Sequence, residues 1–166
     1  MTLTGFRYVF MFLFCLVAGM TQAQQLPFTM DVRVPGVTRY NPDIPTPESV
    51  TGHVIGAQHT RSHLVAEYFR AVASAGERVV VDQHGTTYEG RRLVHAIVTS
   101  PANHARLELL RQDNLRLSDG PNEVTDAMIG DMPVFIHLGY GVHGNEASSS
   151  EAAMLVLYHL AGGEGP

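Results

Sequence analysis

Between residues 60 and 75 the apolar positions are Leu64, Val65, Tyr68, Phe69 and Val72, the spacing of one face of a helix. Thr60 stands where a cap belongs and Gly76 where a helix stops. Residues 78–83 and 93–99 are rich in Val and Ile, and the link from His84 to Gly90 carries the glycines of a turn, so two antiparallel strands are predicted there. Ser100-Pro101 supplies a cap followed by proline at the first helical position, and Leu107, Leu110 and Leu117 continue on one side. One helix of about ten to fifteen residues is predicted. Asp119-Gly120-Pro121-Asn122 is a turn cluster, with loop expected as far as Asp131.

Val134-Phe135-Ile136-His137-Leu138 is an almost unbroken apolar run, the signature of a strand covered on both faces, and Gly139-Tyr140-Gly141 allows a sharp bend after it. From Glu146 or Ala147 to Leu160 the chain is apolar on most sides and predicts a buried helix ending at Gly162-Gly163. By contrast 24–56 holds Pro27, Pro35, Pro42, Pro45 and Pro47 with little periodicity and reads as an irregular lead-in lying across a surface. The order helix, two strands, helix, strand, helix predicts an α/β fold with helices packed on a mixed sheet. No internal repeat is visible.

The first residues have a different pattern: Arg7, an apolar run over 9–18, then a polar, small-residue stretch ending Thr21-Gln22-Ala23. That is the layout of a secretory signal peptide over 1–23, and the run is too short for the roughly twenty residues of a membrane span. Export to the periplasm or the outside is therefore expected, with 57–166 forming the main domain after the lead-in. Cleavage there also removes Cys15, the only cysteine of the 166 residues, so any metal in the mature chain must be held by His, Asp or Glu.

Charge narrows the partners. The formal net charge is -5, and no basic block offers a stripe for a nucleic-acid backbone. All eleven basic residues are Arg, which removes chemistries built on lysine, such as a P-loop or a Schiff base. The oligomeric state is not encoded in any visible pattern.

The candidate chemistry lies where the apolar run ends, at the kind of strand edge where open α/β sheets bind ligands. His143 and Glu146 are three residues apart, which brings an imidazole and a carboxylate together across one turn. Both are zinc ligand types, and catalytic zinc of the two-His-one-Glu kind keeps one position for the water it activates. Hydrolysis of a peptide or amide is the natural use of such a pair. The alternative is a loop histidine beside a first-turn acid that merely suits the helix dipole.

Here the chain resembles the zinc carboxypeptidases of the M14 type. Gly141-Val142-His143-Gly144-Asn145-Glu146 matches their Gly-x-His-Gly-Asn-Glu motif, and 85–93 resembles their Gly-x-(three residues)-Gly-Arg-x-Leu hairpin, preceded by a helix like that of 60–75. The resemblance runs from about Tyr40 to the last residue. It implies a zinc-carboxypeptidase-like fold, a Zn2+ cofactor held by His143 and Glu146, and a peptide or protein substrate. It also implies a third histidine ligand, two substrate arginines and a general-base glutamate from further along a longer domain, so the chain is expected to be its opening part and inactive alone.

Asn145 stands where digestive members carry arginine, which places the chain nearer the regulatory or bacterial branches. Two other readings compete: an aspartoacylase-type zinc acyl-amino-acid deacylase, which shares the Gly-x-His-Gly-Asn-Glu motif, and a non-catalytic binding module on the same fold. Among the remaining histidines, His137 reads as a satisfied core residue. His53, His59, His63 and His104 read as solvated surface, His84 and His95 belong in or near the hairpin, and His159 is more than four turns from the motif. Arg91 and Arg92 read as hairpin surface charges.

Overall fold

The computed structural model describes residues 34–120 and 124–165. The expected export signal at 1–23, with Cys15, lies outside the described residues. So do 121–123 of the turn cluster. Within the described chain the elements are strand β1 (Arg39–Tyr40), helices α1 (Pro47–Thr51) and α2 (Ser62–Ala75), strands β2 (Val79–Thr86) and β3 (Arg92–Val98), helices α3 (Pro101–Ala105), α4 (Leu107–Asp119), α5 (Asp126–Asp131) and α6 (Ala147–Gly162), and strand β4 (Gly163–Glu164). Among them no helix is long and apolar enough to cross a membrane.

The core forms where three apolar faces meet. α2 buries Ala66, Tyr68 and Val72, α6 contributes Met154, Leu157 and Ala161, and β2 adds Val79. Two residues of the proline-rich lead-in, Ile44 and Ile55, are buried in the same cluster. Each buried Val, Leu, Ile or Met among them stabilises the fold by about 1.5–3 kcal/mol relative to exposure. The lead-in is not wholly irregular: Thr46 caps α1 by accepting the Ser49 amide, and Pro47 sits at its first position, where a missing N–H costs nothing. It approaches so closely that a methyl group added at Gly162 would lie 3.3 Å from Ile44 Cβ.

α2 has the face the spacing predicts, and it ends at Gly76, but its start is different. The helix begins at Ser62 with Arg61 as cap residue, and no side chain caps it. The Thr60 hydroxyl donates instead to the Glu151 carboxylate on α6, a strong charge-assisted bond.

β2 and β3 pair antiparallel from Val79↔Val98 to Thr86↔Arg92, with a bulge between Gln83 and Gly85 that leaves His84 without a partner. Val79, Val81, Ala96 and Val98 turn toward the core and leave Val80, Asp82 and His95 on the outer face. Ser100 caps α3 as expected, accepting the Asn103 amide. The single helix predicted after it is broken, however: Arg106 leaves helical geometry at φ -120° and divides α3 from α4. Its guanidinium reaches Asn103 Oδ1 and the carboxylate and carbonyl of Asp131, anchoring the break. The loop expected before Asp131 contains α5, capped by Thr125.

The fold is mixed α/β, with helices and small antiparallel sheets. The single mixed sheet expected from the sequence is not formed among the described residues. Instead there are two separate pairs, β2 with β3 and β1 with β4. The reason lies at 133–138, expected as a strand covered on both faces. It joins no strand, and Val134 and Ile136 are 87% and 78% exposed. A strand needs a neighbour's backbone to bond to, and no described strand lies alongside this one.

Candidate functional site

The site is built at the bend that follows this apolar run. Gly141 has φ +69°, a left-handed conformation that costs a residue with a Cβ about 1–2 kcal/mol. Its N–H donates to Ser149 Oγ at 2.6 Å, tying the bend to the first turn of α6. Two residues on, the Glu146 amide donates to the His143 carbonyl at 3.1 Å, closing a turn, and the Ser149 amide donates to the Glu146 carbonyl as the helix starts. Glu146 is thus the cap residue of α6, yet its side chain bonds no helix amide. It faces His143 instead, with Oε1 2.9 Å from Nδ1.

Both side chains are open to solvent, at 70% for His143 and 52% for Glu146. As an ion pair such a contact contributes at most about 1 kcal/mol. Its chemical interest is in the donors: an imidazole nitrogen and a carboxylate oxygen are held side by side, in direct hydrogen-bond contact, at the start of α6. This is a donor set that zinc accepts, so the residues fit the metal implied by the resemblance. Among the described residues no three His, Cys, Asp or Glu side chains gather as a metal-binding group. A cleft of about 340 Å³ lined by Asn41, Ile44, Val79 and Pro101, among others, is bordered by neither residue of the pair.

The other histidines are dispersed. His137, expected in the core, is exposed, because the strand that would have buried it does not form. His53 is half-buried rather than solvated, bonding the Thr51 carbonyl and the Thr60 hydroxyl. His104 is half-buried too and donates from Nε2 to the Arg78 carbonyl, while its Nδ1 has no partner among the described residues. His159 Nδ1 and Tyr40 Oη share a hydrogen bond of 2.5 Å, and burial lowers the His159 pKa. His84 and His95 stand together on the hairpin. Arg91 pairs with Glu89 on the exposed turn.

Two positioning residues escaped the sequence reading. Ser149 holds the Gly141 bend, and Glu151 clamps α6 to the segment before α2. Glu151 is 8% exposed and accepts from the Thr60 amide at 3.0 Å, the Thr60 hydroxyl at 2.5 Å and the Gly56 amide at 3.4 Å. The available signal was Glu151 itself, the only acid in a helix that is mostly apolar from Ala152 to Leu160.

Gly141→Ala is expected to lower stability by about 1–2 kcal/mol in a urea melt, because it forces a Cβ into the left-handed region. Gly144→Ala is the control: its φ is not positive and nothing lies within 4 Å of the added carbon. Equal losses in the two variants would show that the Gly141 conformation is not what matters.

Comparison with family models, curated proteins and solved structures finds no match to this chain.

Proposed function

We propose that this chain carries two ligands, His143 and Glu146, of a zinc centre of the metallocarboxypeptidase type, serving the hydrolysis of peptide or protein substrates. The observation that carries the reading is the facing of His143 Nδ1 and Glu146 Oε1 at 2.9 Å, at a glycine bend that leads into a helix. The glycine-bearing hairpin and the helix before it support the same reading, since they precede the pair in the order that the resemblance implies. On this reading the helices and hairpin belong to a zinc-carboxypeptidase-like sheet, and the leader at 1–23 directs the chain to export.

His143 and Glu146 would hold the zinc ion, which when bound would supply Lewis acidity toward a peptide carbonyl. The chain's own residues perform the positioning. Gly141 and Ser149 fix the bend, the His143-to-Glu146 turn sets the spacing, and Glu151 holds the helix that carries the carboxylate. Two protein ligands are fewer than the three of ordinary catalytic centres, so zinc is expected to bind weakly.

The test is a zinc titration of the chain followed through the nitrogen signals of each imidazole. The His143 signals are expected to shift, and Glu146→Gln to weaken that response by about tenfold or more, as losing even an outer-shell partner does. His143 signals that stay fixed while zinc is added would remove the site.

A further inference from the structure

The hairpin carries a second pair of ligand-type side chains that the reading above does not use. His84 on β2 and His95 on β3 approach with Nδ1 3.4 Å from Nδ1, ring centroids 5.4 Å apart and planes at 48°. Both are exposed, and neither belongs to the core.

The bulge produces this approach. Gln83 pairs with Val94 and Gly85 with Leu93, which makes His84 the extra residue. In an unbroken ladder His84 would stand opposite Leu93, and His95 would be its diagonal neighbour, with a spacing of about 7–8 Å. Bulges of this kind re-aim a side chain and are concentrated beside functional sites.

The spacing decides between a hydrogen bond and a shared ion. At 3.4 Å the contact is longer than the roughly 2.7–3.2 Å of an ordinary N–H donor bond. Two imidazole nitrogens on one tetrahedral zinc, each about 2.0–2.1 Å from the metal, are separated by about 3.3–3.4 Å. The Nδ1-to-Nδ1 separation of the pair therefore matches that of two imidazoles on one metal ion.

A carboxylate is close by as well. Asp82 is the cross-strand partner of His95, so their Cβ atoms are on one face about 4.5–5.5 Å apart. Asp82 Oδ1 accepts from the Gln83 amide at 2.7 Å, and the three side chains do not form a closed cluster as they stand.

We propose that His84 and His95 form a binding site for a divalent transition-metal ion on the outer face of the β2–β3 hairpin, independent of His143 and Glu146. The class of ion follows from the donors: imidazole suits zinc, copper and nickel, whereas magnesium and calcium demand oxygen. Two imidazoles with solvent in the remaining positions make an open, exchangeable site. Because its ligands come from two strands, an ion bound there crosslinks the hairpin and stabilises only the folded chain.

The experiment is a Zn2+ titration of the full chain carrying His143→Ala, with the imidazole nitrogen signals resolved by residue and the melting temperature followed in parallel. His84 and His95 are expected to shift together at Nδ1, with a zinc-dependent rise in melting temperature. His84→Ala should abolish the response of His95, and His95→Ala that of His84, each weakening zinc binding by at least the roughly 10–100-fold typical of lost second-shell support. Mg2+ in place of Zn2+ should move neither signal. Signals that stay still, or that still shift in one histidine after the other is removed, would overturn the site and leave two ordinary surface histidines. The background substitution keeps this outcome separate from the fate of the proposed function, which is read at His143 in the unsubstituted chain.

Discussion

Glu151→Ala is expected to remove about 3–5 kcal/mol of stability, measured as the free energy of urea unfolding, because it strips the acceptor from donors that are out of reach of water. The Thr60 amide and hydroxyl both end on this carboxylate, and Thr60 is 1% exposed. A hydrogen bond to a charged group contributes about 1.5–3 kcal/mol, and each buried donor left unmet costs about 1–3 kcal/mol. The longer Gly56 contact adds little. Glu151→Gln keeps a carbonyl acceptor for Thr60 but turns an amide donor toward Gly56, so its cost should be only about 1–2 kcal/mol. Equal losses for the two variants would mean that the carboxylate is not the clamp. Set against the 5–15 kcal/mol typical of a whole domain, the alanine variant should be close to unfolding.

Tyr68→Ala should cost about 3–5 kcal/mol, the range for deleting a buried aromatic ring. Tyr68 is fully buried within the cluster formed by α2, α6, β2 and the lead-in. Its phenol donates to the Pro45 carbonyl at 3.2 Å, so Tyr68→Phe isolates that bond at about 1 kcal/mol. The phenol also makes stability depend on alkaline pH. Burial raises its pKa above the ordinary 10.0, so beyond that pH the unfolded chain loses a proton that the folded chain keeps. The contribution is complete below pH 10.0 and declines as pH rises beyond it. Tyr68→Phe should flatten part of that decline, and an unchanged alkaline limb would show that the group does not titrate in this way.

The elements that could be read in advance were those whose determinants are local. The one-sided spacing of Leu64, Val65, Tyr68, Phe69 and Val72 gives α2, and the Val-rich runs on either side of a glycine link give the hairpin. Ser100-Pro101 marks a helix start, and the same physics operates at Thr46-Pro47, where the surrounding prolines hid it. What could not be read depends on partners distant in sequence. Thr60 has the chemistry of a cap, but the helix starts after Arg61 and the Thr60 hydroxyl bonds Glu151, 91 residues away. Likewise the apolar character of 134–138 states what those side chains would gain by burial, whereas forming a strand requires a neighbouring edge. Of the site, the His143 and Glu146 spacing was legible because one turn fixes it. The Ser149 tie and the Glu151 clamp were not, since each depends on where α6 settles. The His84 and His95 approach depends on a bulge, which nothing in the alternation of β2 announces.

The bare apolar ribbon at 134–138 also sets how this protein behaves in a crowd. It is short, free of Asp, Glu, Lys, Arg and proline, and rich in β-forming residues, with its apolar side chains facing water. Such a stretch gains most from another polypeptide laid beside it, and the gain grows with protein concentration, whereas the α2 and α6 core is indifferent to concentration. Solubility and foldedness are therefore governed by different parts of the molecule. A substitution that leaves every buried residue intact can still decide whether the chain stays dispersed, as a charge placed at Ile136 would do by breaking the ribbon without touching the core.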